Sequence, residues 1–475
     1  MLEGPILAKM GRPLVELPPL ALRRDGSRPL AVQLADGLRA ATVDGVLRPG
    51  DRLPSTRTLA TTLGVSRTVT AAAYDQLLAE GWVRARRGAG TFVVGAPPMH
   101  APPPRPGSRA SSVALGGRAV PRPPTALDLR AGGACLEVLD RAAWRRAWRA
   151  AGDFPPDAHP DPIGLPAYRA AVAEHLLRHR GLPAPDVLAT TGTTAAVAEL
   201  ARTLPTGGRV AVEEPGYQRA VAALRAGGLT VLTAPVDAAG LVVDALPTSL
   251  AAVYVTPAHQ YPLGVRLSAA RRVALVERAR AEGFLVLEDD YDGELRYDVA
   301  PLPLLTALGP DVVAHLGTAG KLLTPTLGAG WLVAPPAVRA AVLDLRECTS
   351  TRPGRAGQRV FAALAAHGDL ARHLRRLRRE LAARRAAAID AVRAAGRLAE
   401  GDAAGAHLLV PLPDRETERA VLAAANDRGV VLDGLARHHA GPPARAGIVL
   451  GYAGVARAEL GRALPVVADA LATAR

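Results

Sequence analysis

Lysine is almost absent from this chain: of its 58 basic residues, only Lys9 and Lys321 are not arginine. Arginine keeps its charge in proteins, whereas a buried lysine amine can lose its proton and attack a carbonyl. Lys321, in GTAGKLLTP (317–325), follows an apolar run and is the candidate nucleophile, able to form a Schiff base with an aldehyde. Upstream, VLEDDYDGELRYD (286–298) sets Asp289 and Tyr291 just past the end of another apolar run. A carboxylate there can keep a pyridine-type nitrogen protonated, and a phenol can hydrogen-bond a ring oxygen. In VEEPGYQRA (212–220) Tyr217 offers a ring to stack on a flat ligand. TTGTTAAVAELA (190–201) reads as a glycine turn opening a helix, whose free N–H groups suit a phosphate. Taken singly, a lysine is a surface residue and an acidic cluster a metal site or solvated turn; the combination carries the reading.

These groups need strand ends and helix starts to hold them, and the surrounding pattern supplies both. From about residue 127 onward β-rich runs recur at 209–215, 229–235, 251–257, 284–290, 312–318 and 330–335. Segments with apolar residues three and four apart, such as SAARRVALVERARAEG (268–283), separate them. The alternation predicts an α/β domain with a mostly parallel sheet, whose strand ends bind ligands. A strongly basic helix over 369–385 reads as a solvated face. AGAHLLVPL and AGIVLGYA then predict strands of a smaller C-terminal α+β lobe. Trp144 and Trp148, four apart, are expected to pack their helix against the core.

The first hundred residues follow another rule. PLAVQLADGLRAATVDGVL (29–47) has helical spacing and stops at Pro49-Gly50. Ser55 and Ser66 stand where N-caps belong, before TRTLATTLG and RTVTAAAYDQLLAEG. Two short helices joined by a glycine-containing turn make a helix-turn-helix, the second placing its first residues in the major groove. Gly81 to Val93 reads as a two-stranded wing with Arg86, Arg87 and Gly88 at its tip. Nine prolines between 97 and 124, among Gly, Ser and Arg, then predict an extended linker.

Composition sets the limits. The length of 475 residues favours more than one domain, and a net charge of +14 favours polyanionic partners. Cys135 and Cys348 match no metal or redox spacing, and His438-His439 lacks further ligands, so no metal is expected. Without an apolar run of membrane length or a signal pattern, the expectation is a cytoplasmic protein with no membrane partner.

LRPGDRLPSTRTLATTLGVSRTVTAAAYDQLLAEGWVRARRGAGTFV resembles the winged helix-turn-helix of the GntR family. With the C-terminal fragments, DPIGLPAYR and VTPAHQYPLG included, nearly the whole chain resembles the MocR/GabR-type regulators. These fuse a GntR domain to a type-I aminotransferase fold that binds pyridoxal 5'-phosphate (PLP). The resemblance implies a winged helix-turn-helix at 26–95, a linker at 96–126 and an aminotransferase-like domain at 127–475, in a homodimer binding double-stranded DNA. It implies DNA contacts from Arg57, Ser66, Arg67, Thr68, Arg87 and Gly88. In the large domain it implies the cofactor linkage at Lys321, the pyridine nitrogen on Asp289, the ring oxygen on Tyr291, Tyr217 stacked, and Thr193 and Thr194 on the phosphate. Arg437 and Arg219 match arginines that grip the carboxylate of an amino-acid effector.

Several positions depart from that pattern. Gly320 stands where the family has serine, and Gly328 where it has arginine, both phosphate ligands; the usual paired glutamines are Thr194 and Ala195. Thr318 is a candidate replacement. Three functions remain open: a regulator sensing PLP or an amine, an aminotransferase with a DNA-binding appendage, and a regulator that has lost PLP. Steady transamination would mark the second, and a colourless protein that binds DNA specifically the third.

Overall fold

A computed structural model describes residues 20–24, 28–86, 89–94, 126–155, 158–183, 186–297 and 303–473. Arg87, Gly88 and, apart from Ala126, the expected linker lie outside the described residues. The chain divides into two units, residues 1–112 and 113–475.

In the first unit, α1 (Leu30–Val43), α2 (Thr56–Leu63) and α3 (Arg67–Ala79) enclose Leu34, Leu38, Leu59, Tyr74, Leu77 and Trp82. Ser55 Oγ accepts the Thr58 N–H at 3.1 Å and Ser66 Oγ the Val69 N–H at 3.3 Å, so both expected caps form. Gly64 ends α2 in the left-handed region at φ 61°, which a side chain would strain. Strands β1 (Arg52–Leu53), β2 (Val83–Arg86) and β3 (Gly90–Val93) form an antiparallel sheet with β3 in the middle. The wing expected from two strands thus gains a third from the turn before α2.

The second unit is built on an eight-stranded sheet. Its strands are β5 (Val187–Thr190), β6 (Arg209–Glu214), β7 (Thr230–Asp237), β8 (Gly240–Leu241), β9 (Ala252–Val255), β10 (Leu285–Asp290), β11 (Val313–Thr318) and β12 (Gly330–Val333). The order is β5-β12-β11-β10-β9-β6-β7-β8. From β11 to β7 all neighbours are parallel, while β12 is antiparallel to both of its neighbours and β8 to β7. Strands β9 and β10 are buried along their whole length, as their apolar residues require when both faces are covered, and β10 carries the carboxylates Glu288, Asp289 and Asp290 into that burial. Separate apolar clusters lie on the two faces, Leu200, Val212 and Leu287 in one and Val253, Leu275 and Val286 in the other.

The smaller lobe pairs β13 (His407–Leu412) antiparallel with β15 (Ala446–Gly451). Residues from far upstream join it: β4 (Leu127–Asp128) runs parallel to β14 (Val430–Val431). The helix Arg141–Gly152 buries Ala143, Ala147 and Ala151. Trp148 is exposed, whereas Trp144 packs half-buried against the core beside the alanines. Among the described residues no helix is long and apolar enough to cross a membrane.

Candidate DNA-reading face and cofactor cleft

On the first unit, Arg57 at the start of α2 and Arg67 at the start of α3 line one open groove with Ala60, Thr61, Gly64 and Val65. Arg57, Arg67, Thr68 and Ser66 are exposed. Buried hydrogen bonds set the angle at which α3 presents them. Thr70 Oγ1 donates to the Thr56 carbonyl at 2.9 Å, and Tyr74 Oη to the Pro54 carbonyl at 2.8 Å. Of the expected contacts, Arg57 and Arg67 thus line one groove, with Ser66 and Thr68 exposed beside Arg67.

On the second unit, sheet register brings two turns together. Gly330 of β12 lies opposite Thr318 of β11 on one side and Thr190 of β5 on the other. The Lys321 turn thus sits beside the Gly192 turn. A Cβ at Gly330 would lie 2.7 Å from Gly192 Cα, so only glycine permits this approach. Gly192, at φ 141°, opens the helix Thr193–Thr203 and aims its free N–H groups into the cleft end of the sheet.

Asp289 is the penultimate residue of β10, inside the strand rather than past it, and is 3% exposed. Its Oδ2 accepts the Tyr254 hydroxyl at 2.6 Å, whereas Oδ1 is buried with no hydrogen-bond partner. Burial pushes this carboxyl up to about 7, opposed by the Tyr254 hydrogen bond. Glu213, at the end of β6, is likewise pushed by burial to about 7 while it accepts from Thr256 N and Oγ1 at 3.1 and 2.5 Å. An acid whose folded pKa is raised contributes stability that is intact below its unfolded value, about 3.9 for Asp, and lost as pH rises through the folded value. In ligand-free protein, Asp289→Asn is therefore expected to raise Tm over wild type. The increment should grow from about pH 4 to about pH 7 and then stay level; a pH-independent difference would refute the assignment.

Lys321 is half-buried, and its Nζ donates to the Gly132 carbonyl at 2.5 Å. Burial lowers its pKa, while Asp292 and Asp289 pull it back up. Tyr217 Oη lies 3.2 Å from Thr194 Oγ1, its ring 5.7 Å edge-on from Tyr261, and Arg219 reaches its hydroxyl. Thr193 is buried at the helix start and its side chain faces Asp289. Thr318 Oγ1 is taken by the Gly320 N–H at 2.9 Å. Tyr291 Oη donates to the His259 carbonyl at 2.9 Å.

Arg437 comes from the smaller lobe. Its Nε lies 2.5 Å from Asp433 Oδ1, a fully buried carboxylate, and its fork reaches the Tyr261 hydroxyl. The expected residues Lys321, Asp289, Tyr291, Tyr217, Thr193, Thr194, Thr318, Arg219 and Arg437 are thus drawn around one cleft. At Gly328, φ 58°, nothing lies within 4 Å of where a Cβ would stand. Sequence reasoning passed over Tyr254, Glu213, His259, Asp292 and Asp433. The trace available was a phenol inside the apolar run AAVYVTP.

Comparison with known proteins agrees with both units. Residues 30–93 match the family described as bacterial regulatory proteins, gntR family, and residues 136–464 match aminotransferase class I and II. The chain is 36% identical over 436 residues to the HTH-type pyridoxine biosynthesis transcriptional regulator PdxR of Corynebacterium glutamicum, covering 91% of this chain and 94% of that protein. It is 32% identical over 458 residues to the probable rhizopine catabolism regulatory protein MocR of Rhizobium meliloti, covering 92% of each. A kynurenine aminotransferase of Pyrococcus horikoshii superposes with TM-score 0.66 at 24% identity, over 73% of this chain and 91% of that one. An α-aminoadipate aminotransferase of Thermus thermophilus gives 0.66 at 23%, over 74% and 93%; these two likenesses establish the type-I aminotransferase fold. With a gntR-family reading head joined to an aminotransferase class I and II domain along nearly its full length, the chain belongs to the MocR-type HTH transcriptional regulators.

Proposed function

We propose that the cleft binds PLP at Lys321 and uses it, with a small amine or amino acid, to sense rather than to turn over substrate. The observation that carries this is the buried Asp289 carboxyl, whose Oδ1 makes no well-formed hydrogen bond although the Thr193 side chain faces it, in the cleft that also holds Lys321. A buried acceptor left unpaired costs about 1–3 kcal/mol, which a protonated ring nitrogen would relieve. When bound, PLP supplies an aldehyde that condenses with an amine and a ring that withdraws electrons. The chain's own residues do the holding. Asp289, oriented by Tyr254, would hold the ring nitrogen, Tyr217 would stack on the ring, and Tyr291, held by His259, would hydrogen-bond the ring oxygen. Thr193, Thr194 and Thr318, with the helix N-terminus, receive the phosphate. Arg437, steadied by Asp433, and Arg219 take the effector carboxylate. The relative from Corynebacterium is named for pyridoxine biosynthesis, which supports a vitamin B6 vitamer as the signal.

We further propose a cytoplasmic homodimer in which occupancy of the cleft shifts the balance between two DNA-binding states. Arg57, Ser66, Arg67, Thr68, Arg87 and Gly88 would make the DNA contacts, in domains bounded at 26–95, 96–126 and 127–475. One observation favours a second reading, a regulator without PLP: both Gly320 and Gly328 lack the side chains that would bind phosphate.

Absorption titration of the wild-type protein with PLP tests the cofactor reading: a saturable visible band is expected, and none at millimolar PLP would favour the second reading. Arg67→Ala is expected to weaken binding to a selected operator duplex about tenfold to a hundredfold, with the PLP band unchanged. Loss of both properties together would sink the separation of roles.

A further inference from the structure

The reading above leaves Asp292 without a role, yet the fold encloses it tightly. It stands in the loop after β10, is 3% exposed, and its Oδ2 lies 2.9 Å from His259 Nδ1. At that distance from a carboxylate, Nδ1 carries the proton and donates it. His259 is itself 2% exposed, and its carbonyl accepts the Tyr291 hydroxyl at 2.9 Å. One residue therefore ties Asp292, through its ring, to Tyr291, whose hydroxyl meets both the His259 carbonyl and, at 3.2 Å, the same Nδ1. A Cβ on Gly405, at φ 72°, would come within 2.6 Å of both the His259 ring and Asp292 Oδ2. The His407 ring lies 4.8 Å from that of His259. The charge on Asp292 also reaches Lys321, more strongly than that on Asp289.

We propose that Asp292 is a positioning residue of the Lys321 site: through His259 it fixes the Tyr291 phenol, and its buried charge stabilises the Lys321 ammonium. The inference rests on the cleft being the seat of the Lys321 chemistry. Asp292, Asp289 and the opposing Arg219 act on Lys321, and His407 senses the Lys321 charge. Tyr291, Tyr297 and Tyr452 face Asp292, with Arg385 behind the last two. None of the tyrosines carries charge near neutral pH, and burial holds His407 well below the usual histidine range. Asp292 and Asp289 are thus the anions that set the Lys321 titration.

The near-absence of lysine makes a direct test possible without any cofactor. Competitive acetylation of the full chain with acetic anhydride, across pH and read by mass spectrometry, titrates each lysine separately, with Lys9 as internal reference. Asp292→Asn is expected to lower the Lys321 midpoint by about one pH unit, so that the unprotonated amine is roughly tenfold more abundant at neutral pH, while Lys9 stays put. An unmoved Lys321 midpoint in folded Asp292→Asn overturns the charge role. His259→Gln keeps the charge and cuts the tie. It should leave the Lys321 midpoint in place but shift the wavelength or weaken the affinity of the PLP band through Tyr291. If neither band property changes, the positioning role is overturned, and this variant also serves should Asp292→Asn not fold. A wild-type protein without any PLP band, but with the Lys321 shift present, would reject the cofactor reading and keep the charge assignment.

Discussion

Lys321→Ala is expected to abolish the visible band of the PLP-treated protein completely, with no loss of fold and with DNA binding that no longer responds to PLP. The size of the effect follows from composition. Among the described residues Lys321 is the only lysine, so no other described lysine amine can stand in. The geometry adds to it. Nζ donates to Gly132 in a half-buried cleft, and burial lowers its pKa, which raises the unprotonated fraction that attacks an aldehyde. Truncation to alanine removes one hydrogen bond and little apolar packing, so the sheet beneath should stay intact. The measurement is a PLP titration followed by absorption, with circular dichroism as the fold control. A band that survives in Lys321→Ala would place the adduct on Lys9 or the α-amine, and the cleft would then lose its cofactor.

Gly328→Arg is expected to tighten PLP about tenfold to a hundredfold, the value of a restored charge-assisted hydrogen bond. Pyridoxal, which lacks the phosphate, should bind as before. Space permits the change, because nothing lies within 4 Å of the Cβ position. Backbone geometry opposes it: a φ of 58° is left-handed, and a non-glycine residue there costs about 1–2 kcal/mol. A Tm lowered by a few degrees should therefore accompany the tighter PLP binding. Parallel titrations with PLP and pyridoxal separate the outcomes. If both tighten equally, the arginine acts on the cleft in general. If neither changes, another group already holds the phosphate. At Gly320 the space is tighter, since a Cβ would stand 3.1 Å from Thr318 Oγ1, which already accepts the Gly320 N–H. Serine would have to displace that turn, so position 328 is the better place to restore phosphate binding.

Local chemistry was legible in the sequence because it writes itself into neighbouring residues. Ser55 and Ser66 sit where caps are needed and form them. The β-rich runs at 209–215, 251–257, 284–290 and 312–318 became β6, β9, β10 and β11, since a strand covered on both faces is mostly apolar, the buried carboxylates that end β10 being the exception. Lys321 stood out because almost every other base is arginine. Where alternation was weaker the reading slipped. Trp144 and Trp148 promised a packed face by spacing, yet only Trp144 packs, half-buried, while Trp148 faces out and alanines one position away are buried.

The sequence by itself determined that the chain carries a helix-turn-helix head, a strand-and-helix domain, and a lysine, a carboxylate and a phenol suited to a pyridine aldehyde. Tertiary structure alone decided that β12 runs antiparallel, that residues 127–128 pair with β14, and that Gly330 lets the Lys321 and Gly192 turns touch. It also decided that Tyr254 orients Asp289 and that His259 joins Asp292 to Tyr291. The physical reason is one of range. Periodicity and capping act between residues a few positions apart, whereas these contacts join residues up to hundreds apart, through sheet register and side-chain direction that no local pattern records.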